Sequence, residues 1–218
     1  MADVLIIRPG CTDFDDQNRI QGELDLPLNE RGREQLGPLV ERLRSLSIEM
    51  IWSAPCEPCR TTAEIIGAEI GVPVKEKDDL RNLNQGLWQG LTVDEVKRKY
   101  PKVLKQWRES PETVCPPEGE TVTEAVERIR KVLRKAFKRH GDVAIVAPEP
   151  LATLIRCVAT GCKPELPDSI TGSEKTCTFE VLTLGANGRL NGSGESGSAP
   201  GQLAAPAQAA VSAQGGGG

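Results

Sequence analysis

The chain opens on four apolar residues in a row, Val4-Leu5-Ile6-Ile7, and stops abruptly at Arg8-Pro9-Gly10. A short, largely β-branched run ended by proline and glycine reads as a strand buried on both faces. The same criterion predicts strands over residues 3–7, 48–52, 72–75, 142–147 and 177–184. The intervening segments carry helical spacing. Residues 29–46 read as a helix with Asn29 as N-cap, although the Gly37-Pro38 pair inside it counts against an unbroken one. Residues 56–70 form the next, leading through Gly71 into a strand. Residues 121–140 give the plainest helix, with a Thr121/Glu124 capping box. Val122, Ala125, Val126, Ile129, Val132, Leu133, Ala136 and Phe137 recur on one face, and Gly141 ends it. Residues 151–159 make a short helix after the fourth strand. Alternation of this kind predicts a three-layer α/β/α sandwich with a mainly parallel sheet.

The pattern also divides the chain. Residues 1–190 have the apolar content of one domain, whereas residues 191–218 hold a single charge, Glu195, among Gly, Ala and Ser. Such a tail cannot offset its ordering entropy and is expected to be disordered. In the 218-residue chain, 27 basic residues against 31 acidic give a net charge of −4, which disfavours nucleic acid and anionic membrane as partners. No apolar run is long enough to span a bilayer, and Met1-Ala2-Asp3 leads straight into a strand without a signal-peptide layout. A cytoplasmic location is expected. Seven cysteines, an odd number scattered through helices and loops, indicate reduced thiols rather than a disulfide framework.

Five blocks, taken in order, resemble the histidine phosphatase superfamily, the phosphoglycerate-mutase-like fold. The first is Arg8-Pro9-Gly10-Cys11-Thr12 with Arg19, Gln21-Gly22, Asp25, Pro27-Leu28 and Glu30-Arg31-Gly32. The second is Ser53-Ala54-Pro55 followed by Arg60-Thr61-Thr62-Ala63, and the third is Asp79-Leu80-Arg81 with Gly86, Trp88 and Gly90. The fourth is Pro117-Glu118-Gly119-Glu120-Thr121, and the last is the strand 143–147 running into Arg156. The resemblance spans residues 3–185. It implies a site in which a histidine attacks a phosphoryl group and an acidic residue protonates the leaving group. Two arginines and a second histidine then hold the phosphate oxygens.

The chain departs from that pattern where the chemistry lies. The resemblance assigns the nucleophile to Pro9, the second histidine to Pro148 and the proton donor to Asn82. A pyrrolidine ring offers no lone pair, and an amide does not titrate. The lone histidine, His140, sits at the end of its helix on the wrong side of the sheet to replace them. Arg8 and Arg60 are read as retained phosphate holders. Asp15 stands where the family has asparagine, with Asn18 as the alternative equivalent, and Glu149 stands where it has glycine. The sequence reading therefore expects Arg8 and Arg60 to converge on one point, with Asp15 or Glu149 as internal counter-ions. The implied function is a catalytically inactive binding or scaffolding module, for a protein or a small anionic ligand, with no cofactor or metal. A phosphatase or mutase with relocated chemistry at Arg8 and Arg60 is the alternative.

The cysteines supply a reading of another class. Cys56-Glu57-Pro58-Cys59 is a C-x-x-C at a helix start, where the amino terminus and Arg60 favour a thiolate. It suits a redox pair or half a zinc site, but no second pair stands at ligand spacing. No cysteine is followed six residues later by arginine, which excludes the cysteine-based phosphatase arrangement.

Overall fold

A computed structural model describes residues 3–138, 142–163, 171, 176–184, 190–191 and 197–198. The sheet is built from β1 (Asp3–Ile7), β2 (Met50–Ser53), β3 (Val74–Glu76), β4 (Val143–Val146) and β5 (Thr178–Leu184), in the order β3-β2-β4-β1-β5. β3, β2, β4 and β1 are mutually parallel, and β5 returns antiparallel to β1, with Ile6 opposite Glu180. Two short strands, β6 (Leu190–Asn191) and β7 (Gly197–Ser198), pair antiparallel with β5. The expected mainly parallel α/β architecture is what the chain adopts. The boundary drawn between residues 190 and 191 cuts β6, with β7 beyond it, and most of residues 191–218, like His140 and Gly141, lies outside the described residues.

The helices are α1 (Asp13–Asp16), α2 (Glu30–Leu43), α3 (Glu57–Ile70), α4 (Val93–Lys99), α5 (Pro101–Glu109), α6 (Val122–Phe137) and α7 (Leu151–Thr160). The expected helix after Asn29 forms as α2 and runs unbroken through Gly37-Pro38. Pro38 removes one backbone donor at a cost of about 3 kcal/mol. The same helix buries Leu36, Leu39, Val40 and Leu43, each worth roughly 1.5–3 kcal/mol, so packing wins. Asn29 caps it as expected, accepting from the Gly32 N–H. α6 carries the expected Thr121/Glu124 capping box.

α1, α4 and α5 were not read from the pattern. α4 had a legible signal, a second capping box formed by Thr92 and Glu95. α5 starts on Pro101 and buries Leu104 and Trp107, and Trp107 meets Trp88 edge-on at a centroid separation of 5.7 Å. This aromatic contact anchors the excursion between β3 and α6 to the core and places Asn82 and Arg81 beside the carboxyl ends of the parallel strands.

Candidate functional site

Four backbone contacts fix the loop after β1. The Ala147 N–H donates to the Ile7 carbonyl (3.0 Å), joining the carboxyl ends of β1 and β4. The Arg8 N–H donates to Thr178, and the Cys177 N–H donates to the Pro9 carbonyl. The Gly10 N–H reaches the Thr62 hydroxyl on α3 at 3.2 Å. A side chain at Gly10 is impossible here, since its Cβ would lie 2.6 Å from the Gly32 carbonyl oxygen. The loop is thus pressed against the start of α2.

Arg8, Pro9, Asp15, Pro148 and Glu149 surround one cavity of about 20 Å³. That is space for about one water molecule. Arg8, only 7% exposed, does not face open solvent. Its Nε lies 2.5 Å from Glu149 Oε1, and its Nη2 lies 3.1 Å from Glu180 Oε1. The second Glu149 oxygen accepts the Thr153 N–H in the first turn of α7 (3.2 Å), and the second Glu180 oxygen lies 3.9 Å from Arg156 Nε. Burial acts to lower the Arg8 pKa, but attraction and hydrogen bonding from Glu149 and then Glu180 raise it. A guanidinium satisfied in this way leaves little attraction for a free anion.

Asp15 borders the same cavity but does not pair with Arg8. Its Oδ2 accepts from the Thr12 backbone and hydroxyl, both at 2.7 Å, in the capping box of α1. Asn18 instead accepts from Thr171 at 3.2 Å and does not line the cavity. Burial pushes the Asp15 carboxyl above its ordinary value of 3.8, against the lowering effect of the Thr12 hydrogen bonds. A raised carboxyl pKa means that the folded chain binds more protons than the unfolded chain in that window. The associated stability is present at low pH and is lost as pH rises through the shifted value. The Asp15→Asn variant should therefore gain stability relative to the wild type as pH rises through and above the ordinary carboxyl range, as read from urea midpoints at each pH. A constant difference would show that Asp15 titrates alike in both states.

Arg60 goes elsewhere, and the expected convergence with Arg8 does not occur. Its side chain donates to the Pro55 carbonyl (3.0 Å) and lies within 3.3 Å of Asp25, 3.2 Å of Glu57 and 3.6 Å of Glu76. The cause is helical phase. Thr62 is the α3 residue that meets the Gly10 loop, so the position one turn earlier on that face is buried Pro58. Arg60 lies two residues from each and projects away.

Asn82 is 2% exposed and its amide is fully used. Nδ2 donates to the Gly22 carbonyl (2.9 Å) and the Glu149 carbonyl (3.0 Å), while Oδ1 accepts the Leu83 N–H (2.9 Å). It cross-links three loops at the strand ends. Beside it lie two open clefts. One, of about 540 Å³, is lined by six carboxylates (Glu23, Asp79, Glu118, Glu120, Glu124, Glu127) against Arg81, Arg128 and Lys131. The other, of about 290 Å³, is bordered by Glu23, Asp25, Pro55, Cys56, Arg81 and Asn82. A phosphate approaching here meets an excess of negative charge.

The sequence reading missed Glu180, Arg128 and Pro58. Arg128 is 5% exposed and makes a two-pronged contact with Glu120 (2.8 and 2.9 Å). It also donates to the carbonyls of Asp79, Arg81 and Asn82. Its signal was available, since an arginine sits between Ala125 and Val132 on the apolar face of α6. Glu180 likewise is a charge within an otherwise apolar strand. Cys56 and Cys59 are both buried free thiols, and no group of three or more metal-ligating side chains stands together among the described residues.

Comparison with known proteins agrees with this architecture. Residues 4–191 match the model of the histidine phosphatase superfamily, branch 1. Phosphoserine phosphatase 1 of Hydrogenobacter thermophilus is 30% identical over 146 residues, covering 67% of this chain and 69% of that protein. An uncharacterized phosphatase of Bacillus subtilis, PhoE, is 29% identical over 168 residues, with 76% of this chain and 81% of the relative covered. The solved structure of Bacillus stearothermophilus YhfR superposes with a TM-score of 0.77 at 21% identity, over 89% of this chain and 96% of that one. With the family match running from β1 to β6 and a phosphatase relative at this identity, the chain belongs to the histidine phosphatase superfamily.

Proposed function

We propose that this chain retains the histidine phosphatase fold without its phosphohistidine chemistry and acts as a binding or scaffolding module for a protein partner. The observation that carries this reading is the Glu149 carboxylate, seated on Arg8 at 2.5 Å in a cavity of about 20 Å³. An internal carboxylate holds the arginine that the resemblance assigns to phosphate. Pro9 and Pro148 wall the same cavity and offer neither a nucleophile nor a general base. Asn82 spends its amide on two carbonyls and has no proton to give a leaving group. The acidic clefts at the strand ends favour a partner that is not itself an anion.

The test is a hydrolysis assay with p-nitrophenyl phosphate and a panel of sugar phosphates from acid to neutral pH. No turnover above the blank is expected. Turnover that copurifies with the chain and is abolished in Arg8→Lys, with the fold confirmed by circular dichroism, would support relocated chemistry and overturn this reading. Back-substitution probes the same point from the other side. Pro9→His, Pro148→His and Asn82→Glu together should stay inactive until Glu149→Gly is added, because Glu149 otherwise still holds Arg8.

A further inference from the structure

We infer that Cys56 and Cys59 form a peroxide-oxidisable pair, with Cys56 as the attacking thiol and Cys59 as the resolving one. This site is independent of whether the phosphoryl chemistry is lost. Cys56 is the N-cap residue of the 14-residue helix α3, and Cys59 is the third residue of its first turn. The two are joined within that turn, since the Cys59 N–H donates to the Cys56 carbonyl at 3.1 Å. Residues three apart on a helical turn bring their Cβ atoms to about 5–6 Å. A disulfide needs its Cβ atoms about 3.5–4.5 Å apart, so closing one draws Cys56, the extended N-cap residue outside the helix proper, roughly 1–2 Å closer to Cys59.

The two sulfurs are not equivalent. Cys59 is completely buried, whereas Cys56 is 8% exposed and borders the 290 Å³ cleft beside Glu23, Asp25 and Arg81. Access thus selects Cys56 as the first to react. The environment selects it too. The neighbouring Cys59 thiol does most to hold the Cys56 pKa below the ordinary thiol value, although burial and Asp25 oppose it. Burial, followed by the interaction with Cys56, drives the Cys59 thiol well above the ordinary value. Of the two thiols, Cys56 is therefore the one that gives up its proton more readily. Cys11 and Cys177, by contrast, are pushed up by burial to about 11 and about 12 and stay protonated.

The chemistry follows from that asymmetry. The Cys56 thiolate attacks one oxygen of a peroxide, breaking the O–O bond. Cys56 becomes a sulfenic acid, and the departing alkoxide or hydroxide takes up a proton. The Cys59 sulfur then attacks the sulfenic sulfur. The S–O bond breaks, and the hydroxyl leaves as water with the Cys59 proton. Two thiols have given up two electrons, the peroxide has accepted them, and one S–S bond has formed.

Hydrogen peroxide is the probe. Trypsin releases residues 45–60 as one peptide holding both cysteines, so the internal disulfide reads directly as a loss of two hydrogens and of two alkylation sites. We expect this peptide to convert at low peroxide faster than exposed Cys162 is oxidised, and dithiothreitol to restore both thiols. In Cys59→Ser, dimedone should trap a sulfenic acid on Cys56, whereas in Cys56→Ser it should leave Cys59 unlabelled. A wild-type peptide that stays doubly alkylated while Cys162 is consumed would overturn the proposal. Dimedone on Cys59 would overturn the assignment of roles.

Discussion

Replacing Glu149 with glycine is expected to weaken the fold and at the same time make it responsive to phosphate. Glu149 is the closest counter-ion of a buried guanidinium and also accepts the Thr153 N–H at the start of α7. Removing one partner of a buried ion pair costs about 3–5 kcal/mol when the other is left uncompensated. Here Glu180 still lies 3.1 Å from Arg8, so a loss of roughly 2–4 kcal/mol is expected, read as a lower urea midpoint. The vacated space lies between Arg8 Nε and the first-turn amides of α7, the kind of place that takes an oxyanion. Phosphate at about a hundred times its dissociation constant should restore roughly 2.7 kcal/mol. The wild type should show no such response beyond that to chloride at equal ionic strength. A destabilised variant indifferent to phosphate would mean that the pocket has lost the shape as well as the charge for an anion, and protein binding would stand as the whole of the function.

Arg128→Ala is expected to be as damaging, through the loop that carries Asn82. The guanidinium donates five hydrogen bonds, two to Glu120 and three to the carbonyls of Asp79, Arg81 and Asn82. No other cation on α6 reaches these carbonyls in the described residues. The alanine variant leaves a nearly buried Glu120 and three carbonyls without their donor, a loss of about 3–5 kcal/mol. Arg128→Lys should recover little of it, since one ammonium cannot span a carboxylate and three carbonyls. Amide exchange around residues 79–84 should quicken in both variants even where the global fold survives. A lysine variant as stable as the wild type would show that charge alone, not the planar fork, holds this loop.

Much of the fold was legible because burial here follows local pattern. The β-branched run Val4–Ile7 and the capping box at Thr121 each state their element without help from the rest of the chain. Pro38 left continuity of α2 open because its local cost is visible, while the four apolar side chains that outweigh it act through tertiary packing. The site was legible in part. Arg8 and Glu149 do meet, a pairing that needs only the loops at the ends of two adjacent parallel strands. Arg60 was misplaced by helical phase, a matter of two residues, and sequence alone does not say which face α3 turns toward Gly10. Glu180 was missed because its role depends on an antiparallel register with β1 that no local motif encodes.

That pairing order bears on how the chain is made. β1 finds its two neighbours only across long spans, Val4 with Val143 on one side and with Leu182 on the other. At about 5–20 residues per second on the ribosome, roughly 7–30 s pass between the emergence of the first strand and that of β4. Throughout that interval Val4-Leu5-Ile6-Ile7, an apolar segment with both backbone edges open, has no native partner to pair with. The nascent chain thus leaves this apolar stretch unpaired until strands more than a hundred residues further on have emerged. A holdase acting on the nascent chain before β4 emerges should raise the yield of this protein more than any aid supplied after release.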